Sequence, residues 1–279
     1  MCSRGFFLLE WLHKCEMRPK YYVGVKNMDN FILGVEPHNQ REFKSYIFHN
    51  RNFSNKELLA QVEELNKNKD DRNFASRLMF EMYNSNKIEG NTLTNQDTKL
   101  ILKDKIIPND VSYQDLMECI NLNITIEKYR KIKDLSMDLI LDIHAELTAD
   151  LNDEDKGRIR TEPVHFAPSH NRVKELLSES INKFNISNRN LIDIFIFKLE
   201  FVSIHPFRDG NGKISRIIMN GLLENLGYPR LIITDRNKNY YYKALEDAQV
   251  GYLYDNWIRY CLLLMKFNLE YINDIDILV

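Results

Sequence analysis

From Asn55 onward, apolar residues recur at the three- and four-residue steps of an amphipathic helix. Leu58, Leu59, Val62 and Leu65 share one face, and Ser54 with Glu57 supplies a capping box at its start. The polar run 66–71 predicts a loop. Phe74, Leu78, Met79 and Tyr83 then predict a second helix that ends near Gly90. The same spacing predicts helices at about 94–104, 111–129, 136–150 and 171–185. Leu191 to Ile204 is apolar almost throughout, and Pro206 stops it, because the residue before a proline is pushed out of the α region. After the short stretch Phe207 to Gly212, a helix is expected at 213–226, closed by Gly227 with Pro229 beyond. Two more follow at about 239–249 and 252–272. Two segments break this rhythm. Residues 21–25 and 31–35, around the turn-like 27–30, resemble a short hairpin, and 157–169 has extended character suited to a second small one.

Composition agrees with a mostly helical chain. The 279 residues include only ten glycines and seven prolines, about half the usual share of turn-formers, which disfavours a many-stranded sandwich or barrel. Hydrophobic residues at 44% and charged residues at 28% are ordinary for a globular protein. The formal charge of −2 offers no basic excess for a phosphate backbone, so nucleic acid is not an expected partner. Cys2, Cys15, Cys119 and Cys261 are scattered, with neither a zinc pattern nor a disulfide framework, which suits a reducing compartment. The apolar run 5–9 is interrupted by Glu10 and lacks a small-residue cleavage site. No uncharged run approaches the ~20 residues of a membrane span. The expectation is a cytoplasmic protein with no membrane partner.

Candidate chemistry concentrates in His205-Pro206-Phe207-Arg208-Asp209-Gly210-Asn211-Gly212-Lys213-Ile214-Ser215-Arg216. Two of the ten glycines flank an asparagine just before a helix start, where backbone N–H groups make an anion cradle. Lys213 and Arg216 fall in the first turns of that helix, where a cation costs ~0.3–1 kcal/mol unless an anion offsets it. Asp209 would repel a phosphate unless Mg²⁺ bridged the two. His205 has the pKa and reach of a general base. Cradle, metal, clamps and base together describe phosphoryl or nucleotidyl transfer. The segment is not a P-loop, because Phe207 and Ile214 stand where that motif needs Gly and Ser or Thr.

This segment resembles the signature of the Fic (filamentation induced by cAMP) family, His-Pro-Phe-x-Asp/Glu-Gly-Asn-Gly-Arg-x-x-Arg. Lys213 is the one departure from it. Ser85-Asn86-Lys87-Ile88-Glu89-Gly90 is similar to the family's inhibitory helix motif, Ser/Thr-x-x-x-Glu-Gly/Asn. The surroundings of His144, Gly157-Arg158-Ile159-Arg160 and Tyr241-Tyr242-Lys243-Ala244-Leu245 also resemble family patterns, so the likeness spans roughly 75–265. The resemblance implies an all-α Fic fold with a small β-hairpin flap. It divides the chain into a segment 1–65 of unknown role and a domain 66–279, with the inhibitory helix at about 75–90 and the catalytic loop at 205–216.

Most Fic proteins transfer AMP from ATP to a hydroxyl of a target protein. The resemblance makes His205 the base for a Ser, Thr or Tyr hydroxyl and Asp209 the Mg²⁺ ligand. Gly210, Asn211 and Gly212 become the phosphate cradle, Lys213 and Arg216 its cations, and Phe207 the buried anchor of the loop. Lys213 keeps the charge of the family's arginine and loses its planar fork. Gly212 keeps the adenylylating form, since members that transfer a terminal phosphate carry a lysine there. Ser85 and Glu89 are i and i+4 on one helix face, and the resemblance implies that Glu89 pairs with Arg216 in the space of the γ-phosphate, acting as a brake.

Tyr240, Tyr241 and Tyr242 precede a helix and suit either an adenine face, through Tyr241, or core packing. His144 reads as core; His165 and His170 sit beside the 157–169 stretch. ATP, Mg²⁺ and a hydroxyl-bearing target protein are the expected partners, with a homodimer left open. Two alternatives remain: a de-AMPylase in which Glu89 activates water, and a catalytically silent nucleotide-binding regulator. A DNA-binding regulator is disfavoured, because the sequence ends soon after the last core helix without a winged helix.

Overall fold

A computed structural model describes residues 40–70, 72–151, 154–164 and 166–271. Helix α1 is Gln40–His49 and α2 is Asn55–Lys67, the latter opening on the expected Ser54–Glu57 capping box. Helix α3, Phe74–Ile88, ends at Glu89 and is followed by Gly90 at φ +96°. Helix α4, Asn95–Lys99, widens into a π turn over Leu100–Asp104 and stops at left-handed Lys105. Then come α5 (Tyr113–Lys128), α6 (Met137–Leu147), α7 (His170–Ile186), α8 (Leu191–Ile204) and α9 (Asn211–Asn225). Helices α10 (Lys238–Gln249) and α11 (Tyr254–Glu270) complete the bundle. The fold is all-α.

Helix α8 is the centre of the molecule. It starts on an Asn190–Asp193 capping box and is apolar on nearly every face, which is the pattern of a helix surrounded by others. It packs against α7, α9 and α11, while α9 also meets α3, α5 and α6. At Gly221 on α9, a Cβ would come within 2.7 Å of the Tyr129 carbonyl, so glycine sets how closely the α5 end and the Ile132 loop lie on that helix.

The amino-terminal helices share this core. Phe43 of α1 packs edge-on against Tyr240, Tyr260 and Phe267, and Leu58 and Val62 of α2 are fully buried against α11. The apolar spacing before Asn55 did not predict α1. The hairpin expected at 21–35 lies outside the described residues.

The described residues of 157–169 are irregular, with turns and bends, and none of them pairs as a strand. Its bonding runs to the loop after α8 and not across a ladder. Arg160 N–H donates to the Pro206 carbonyl at 2.9 Å, and the Arg160 guanidinium donates to the carbonyls of His205, Glu162 and Pro168 at 2.7, 2.9 and 2.6 Å. Pro163 and Pro168 add no N–H groups of their own.

Candidate active site

The end of α8, the loop after it and the start of α9 are fixed before any ligand arrives. His205 closes α8 in the left-handed region, at φ +53° and ψ +62°, and its N–H returns to the Phe201 carbonyl at 3.0 Å. Phe207 is fully buried and stacks on the His144 ring with centroids 4.0 Å apart and planes within 5°. Asn211 folds back on the loop. Its Oδ1 accepts from Phe207 N–H at 2.9 Å, and its Nδ2 donates to the Phe207 carbonyl at 2.8 Å. The Asn211 side chain is therefore used in shaping the loop, as a buried amide must be. His144 in turn accepts the Gly157 N–H at Nδ1, 2.8 Å away, which joins the loop's support to the 157–169 segment.

Gly210, at φ +77°, occupies the N-cap of α9, and no side chain caps that helix. Its first internal bond runs from Ile214 N–H to the Gly210 carbonyl at 2.9 Å, leaving the N–H groups of Asn211, Gly212 and Lys213 ahead of the helical ladder. A Cβ on Gly212 would lie 2.1 Å from Glu89 Oε1 and 3.3 Å from Arg216 Nη1. Only glycine leaves that space.

Glu89 reaches this space from the end of α3. Arg216 Nη2 donates to Glu89 Oε1 at 2.8 Å and to the Ser85 carbonyl at 2.9 Å, while Nε donates to Ser85 Oγ at 2.9 Å. The pair is unevenly covered, with side-chain exposures of 5% for Arg216 and 34% for Glu89. Nη1 of Arg216 is buried without a hydrogen bond. Burial works against the Glu89 charge, but the Arg216 cation outweighs it and holds the carboxyl below its usual range. Lys213 points elsewhere. Its Nζ donates to Glu118 Oε2 on α5 at 2.7 Å.

Two imidazoles are held neutral. Burial pushes His205 down to about 4, with the Arg160 cation adding to the effect, and burial pushes His144 down to about 4 as well. The Phe166 ring stands edge-on to His205 with centroids 4.9 Å apart and is itself largely exposed. Asp209 is exposed, with Oδ1 accepting the Gly210 N–H at 2.7 Å. It borders a cavity of about 440 Å³ whose wall also carries Glu118, Asp150 and Asp155. No three His, Cys, Asp or Glu side chains among the described residues converge as a metal centre.

Residues 134–223 match the model of the Fic/DOC family. That stretch, about a third of the chain, matches a Fic domain. Among curated relatives, the protein adenylyltransferase Fic of Nematostella vectensis is 30% identical over 184 residues, covering 61% of this chain and 43% of that protein. Protein adenylyltransferase fic-1 of Caenorhabditis elegans is 28% identical over the same length, covering 61% and 36%. The chain thus spans about two fifths of the curated relatives it matches. The fold agrees with Fic-1 (residues 134–508) from C. elegans at a TM-score of 0.71 and 24% identity, over 78% of this chain and 71% of that one. It also agrees with a Fic family protein from Desulfovibrio desulfuricans at 0.67 and 22%, over 87% and 76%.

The structure brings together His205, Phe207, Asp209, Gly210, Asn211, Gly212 and Arg216 from the matched stretch with Ser85 and Glu89 from outside it, and Gly90 follows Glu89 directly. Tyr241 lies deeper, 2% exposed, its hydroxyl accepting from Lys198 Nζ at 2.8 Å; Tyr242 beside it is exposed. His170 begins α7, and His165 is outside the described residues. Arg160, from the Gly157–Arg160 pattern, ties the loop. Two residues that sequence reasoning did not single out complete the surroundings: Glu118 holds Lys213, and Lys198 is a fully buried amine that burial and the Arg216 charge push down to about 7. For Lys198 a signal existed, since a lysine at the centre of the apolar run 191–204 needs a partner.

Proposed function

We propose that this Fic domain transfers AMP from ATP to the hydroxyl of a target protein and that Glu89 holds it off by occupying Arg216. The observation that carries the reading is the Gly212 space, bordered by a carboxylate and by an arginine with one unspent buried donor. A terminal phosphate, with three oxygens to the carboxylate's two and more negative charge, can take the spare Arg216 donor as well as the one that Glu89 holds. The free N–H groups at the start of α9 and the left-handed Gly210 extend the same cradle toward the α- and β-phosphates.

His205 is neutral near pH 7, so a ring nitrogen is available to take the proton of an approaching Ser, Thr or Tyr hydroxyl. The hydroxyl oxygen bonds to the α-phosphorus as the bond to the bridging oxygen breaks, and pyrophosphate leaves. Phe166, exposed and edge-on to His205, is placed to cover the incoming side chain. Tyr242 offers an exposed ring for the base, with Tyr241 packed behind it.

The exposed carboxylate of Asp209 fits a Mg²⁺ that arrives with the nucleotide, because this ion is commonly held by one or two carboxylates and substrate phosphates. When bound, the ion would neutralise charge on the phosphates. Among the described residues no helix is long and apolar enough to cross a membrane, and Cys119 and Cys261 are buried free thiols. The two reduced thiols suit a reducing compartment, and on that ground we place the reaction in the cytoplasm. We take residues 66–279 as the Fic domain and α1 with most of α2 as a brace packed on it.

The test is radiolabel transfer from α-labelled ATP into lysate proteins, using the Glu89→Gly protein as donor enzyme. Labelled protein bands are expected, and His205→Ala in the same background should reduce the label about 10²–10⁴-fold, the range of a lost general base. No label with Glu89→Gly, or label that survives His205→Ala, overturns the reading.

A further inference from the structure

Lys213 and Arg216 both lie on α9, and each is held by a carboxylate from another helix. Arg216 is held by Glu89, Lys213 by Glu118. The second pair is as well made as the first. Its oxygen–nitrogen distance is 2.7 Å, side-chain exposure is 9% for Lys213 and 16% for Glu118, and Glu118 also accepts from Gln114 Nε2 at 3.1 Å and Asn91 Nδ2 at 3.2 Å. Burial opposes the Glu118 charge, and the Lys213 cation outweighs it and keeps the carboxyl ionised.

The two pairs are joined by the shortest of links. Asn91, the donor to Glu118, is two residues after Glu89. The connecting strap is pinned further on, where Asn91 Nδ2 donates to the Asp115 carbonyl at 3.2 Å and Thr92 donates through N–H and Oγ1 to Asp115 at 3.1 and 2.6 Å. Between them sits Gly90 at φ +96°, in open space where a side chain would meet nothing within 4 Å, a position that turns the chain from one carboxylate to the other.

We propose that Glu118 is a second restraining carboxylate. It withholds Lys213 from the nucleotide phosphates as Glu89 withholds Arg216, and the strap Glu89-Gly90-Asn91 couples the two releases. Glu118 is a positioning residue in this role, because it acts through Lys213 and Asn91. A lysine makes the arrangement workable. Its single flexible ammonium can leave one carboxylate and swing to a phosphate, and Glu118 borders the 440 Å³ cavity beside Asp209 into which its own side chain can move. The inference rests on the nucleotide-transfer reading of the site.

The experiment is titration of Mg·ATP by calorimetry into the full chain and its Glu89→Gly, Glu118→Gln and doubly substituted forms. Glu118→Gln removes the charge and keeps one acceptor oxygen, enough for Asn91 or Gln114 but not for both, which now bond different carboxylate oxygens. ATP is expected to bind Glu118→Gln about three- to tenfold more tightly than the parent. The gain in the double variant should differ from the product of the single gains, because the strap links them. The gain should vanish when Lys213→Gln is added. Weaker ATP binding by Glu118→Gln would overturn the proposal, since it would mean that Glu118 aims Lys213 at the nucleotide. Unchanged binding, or a gain that persists without Lys213, would overturn it too. If Glu118→Gln does not fold by circular dichroism, Glu118→Asp, which retracts the carboxylate and keeps its charge, carries the same expectation with a smaller gain. Failure of Glu89→Gly to bind ATP at all would instead overturn the underlying reading of the site.

Discussion

Helix α3 and the turn after it carry two carboxylates, Glu81 and Glu89, and each meets an arginine in a different setting. Glu81 and Arg230 are 6% and 5% exposed. Two bonds of 2.5 and 3.0 Å join them, Asn220 donates to the same carboxylate at 2.8 Å, and Glu224 takes a third Arg230 donor at 3.0 Å. Glu89 makes a single bond to Arg216, a third of its side chain is exposed, and the arginine keeps one donor unspent. The sealed pair has nowhere to go and serves the bundle. The half-open pair lies beside a space that only glycine leaves, so an incoming anion can take the carboxylate's place.

The largest effect should come from the sealed pair. Glu81→Ala strands a buried guanidinium and is expected to cost about 3–5 kcal/mol, read as a large drop in the urea midpoint. A loss below about 1 kcal/mol would erase the contrast. Glu89→Gly, by comparison, should cost less, because Arg216 keeps its two bonds to Ser85 and the opened site admits solvent to the guanidinium. The same substitution should tighten Mg·ATP binding about tenfold or more, and calorimetry beside the urea melt separates the two effects. A variant that unfolds without gaining nucleotide would place Glu89 with Glu81.

Stability should also respond to acid. His144 and His205 are held near 4 when folded and titrate near ~6.5 when unfolded. Below ~6.5 the unfolded chain takes up protons that the folded one refuses, so stability should fall as pH drops from ~6.5 toward 4. Carboxyls held low, such as Glu89 and Glu118, add a further loss only below their unfolded range. Melting temperatures at pH 7, 6 and 5 should decline steadily, and a flat profile would mean that neither ring is buried neutral. Transfer by the Glu89→Gly form should meanwhile show no inflection near 6.5, because its base is already unprotonated there.

The helices were legible because burial imposes a period and the caps are local. Ser54–Glu57 and the Pro206 stop need no knowledge of the rest of the chain. The loop 205–216 was legible because glycines are scarce and two of them flank one asparagine. What could not be read from spacing was partnership. Arg216 meets Ser85 and Glu89 from across the chain, and that pairing entered only through a family resemblance. Glu118 reads as one more solvated carboxylate on an amphipathic helix, and nothing local shows that Lys213 reaches it. The hairpin expected at 157–169 did not form among the described residues: Arg160 directs its bonds to the His205 and Pro206 carbonyls, where a strand partner had been expected.

His205 ends its helix at φ +53°, a backbone state in which glycine and asparagine are more comfortable than most residues. It also buries an imidazole that would otherwise be partly charged. On the proposed transfer reading, chemistry holds histidine at this position against the preference of the fold. In a lineage released from selection for transfer, replacement of this histidine by glycine or asparagine would be favoured, because those residues suit the left-handed backbone and bury no titratable ring. Descendants with the whole bundle intact and no base at its centre are the natural fossils of such a site.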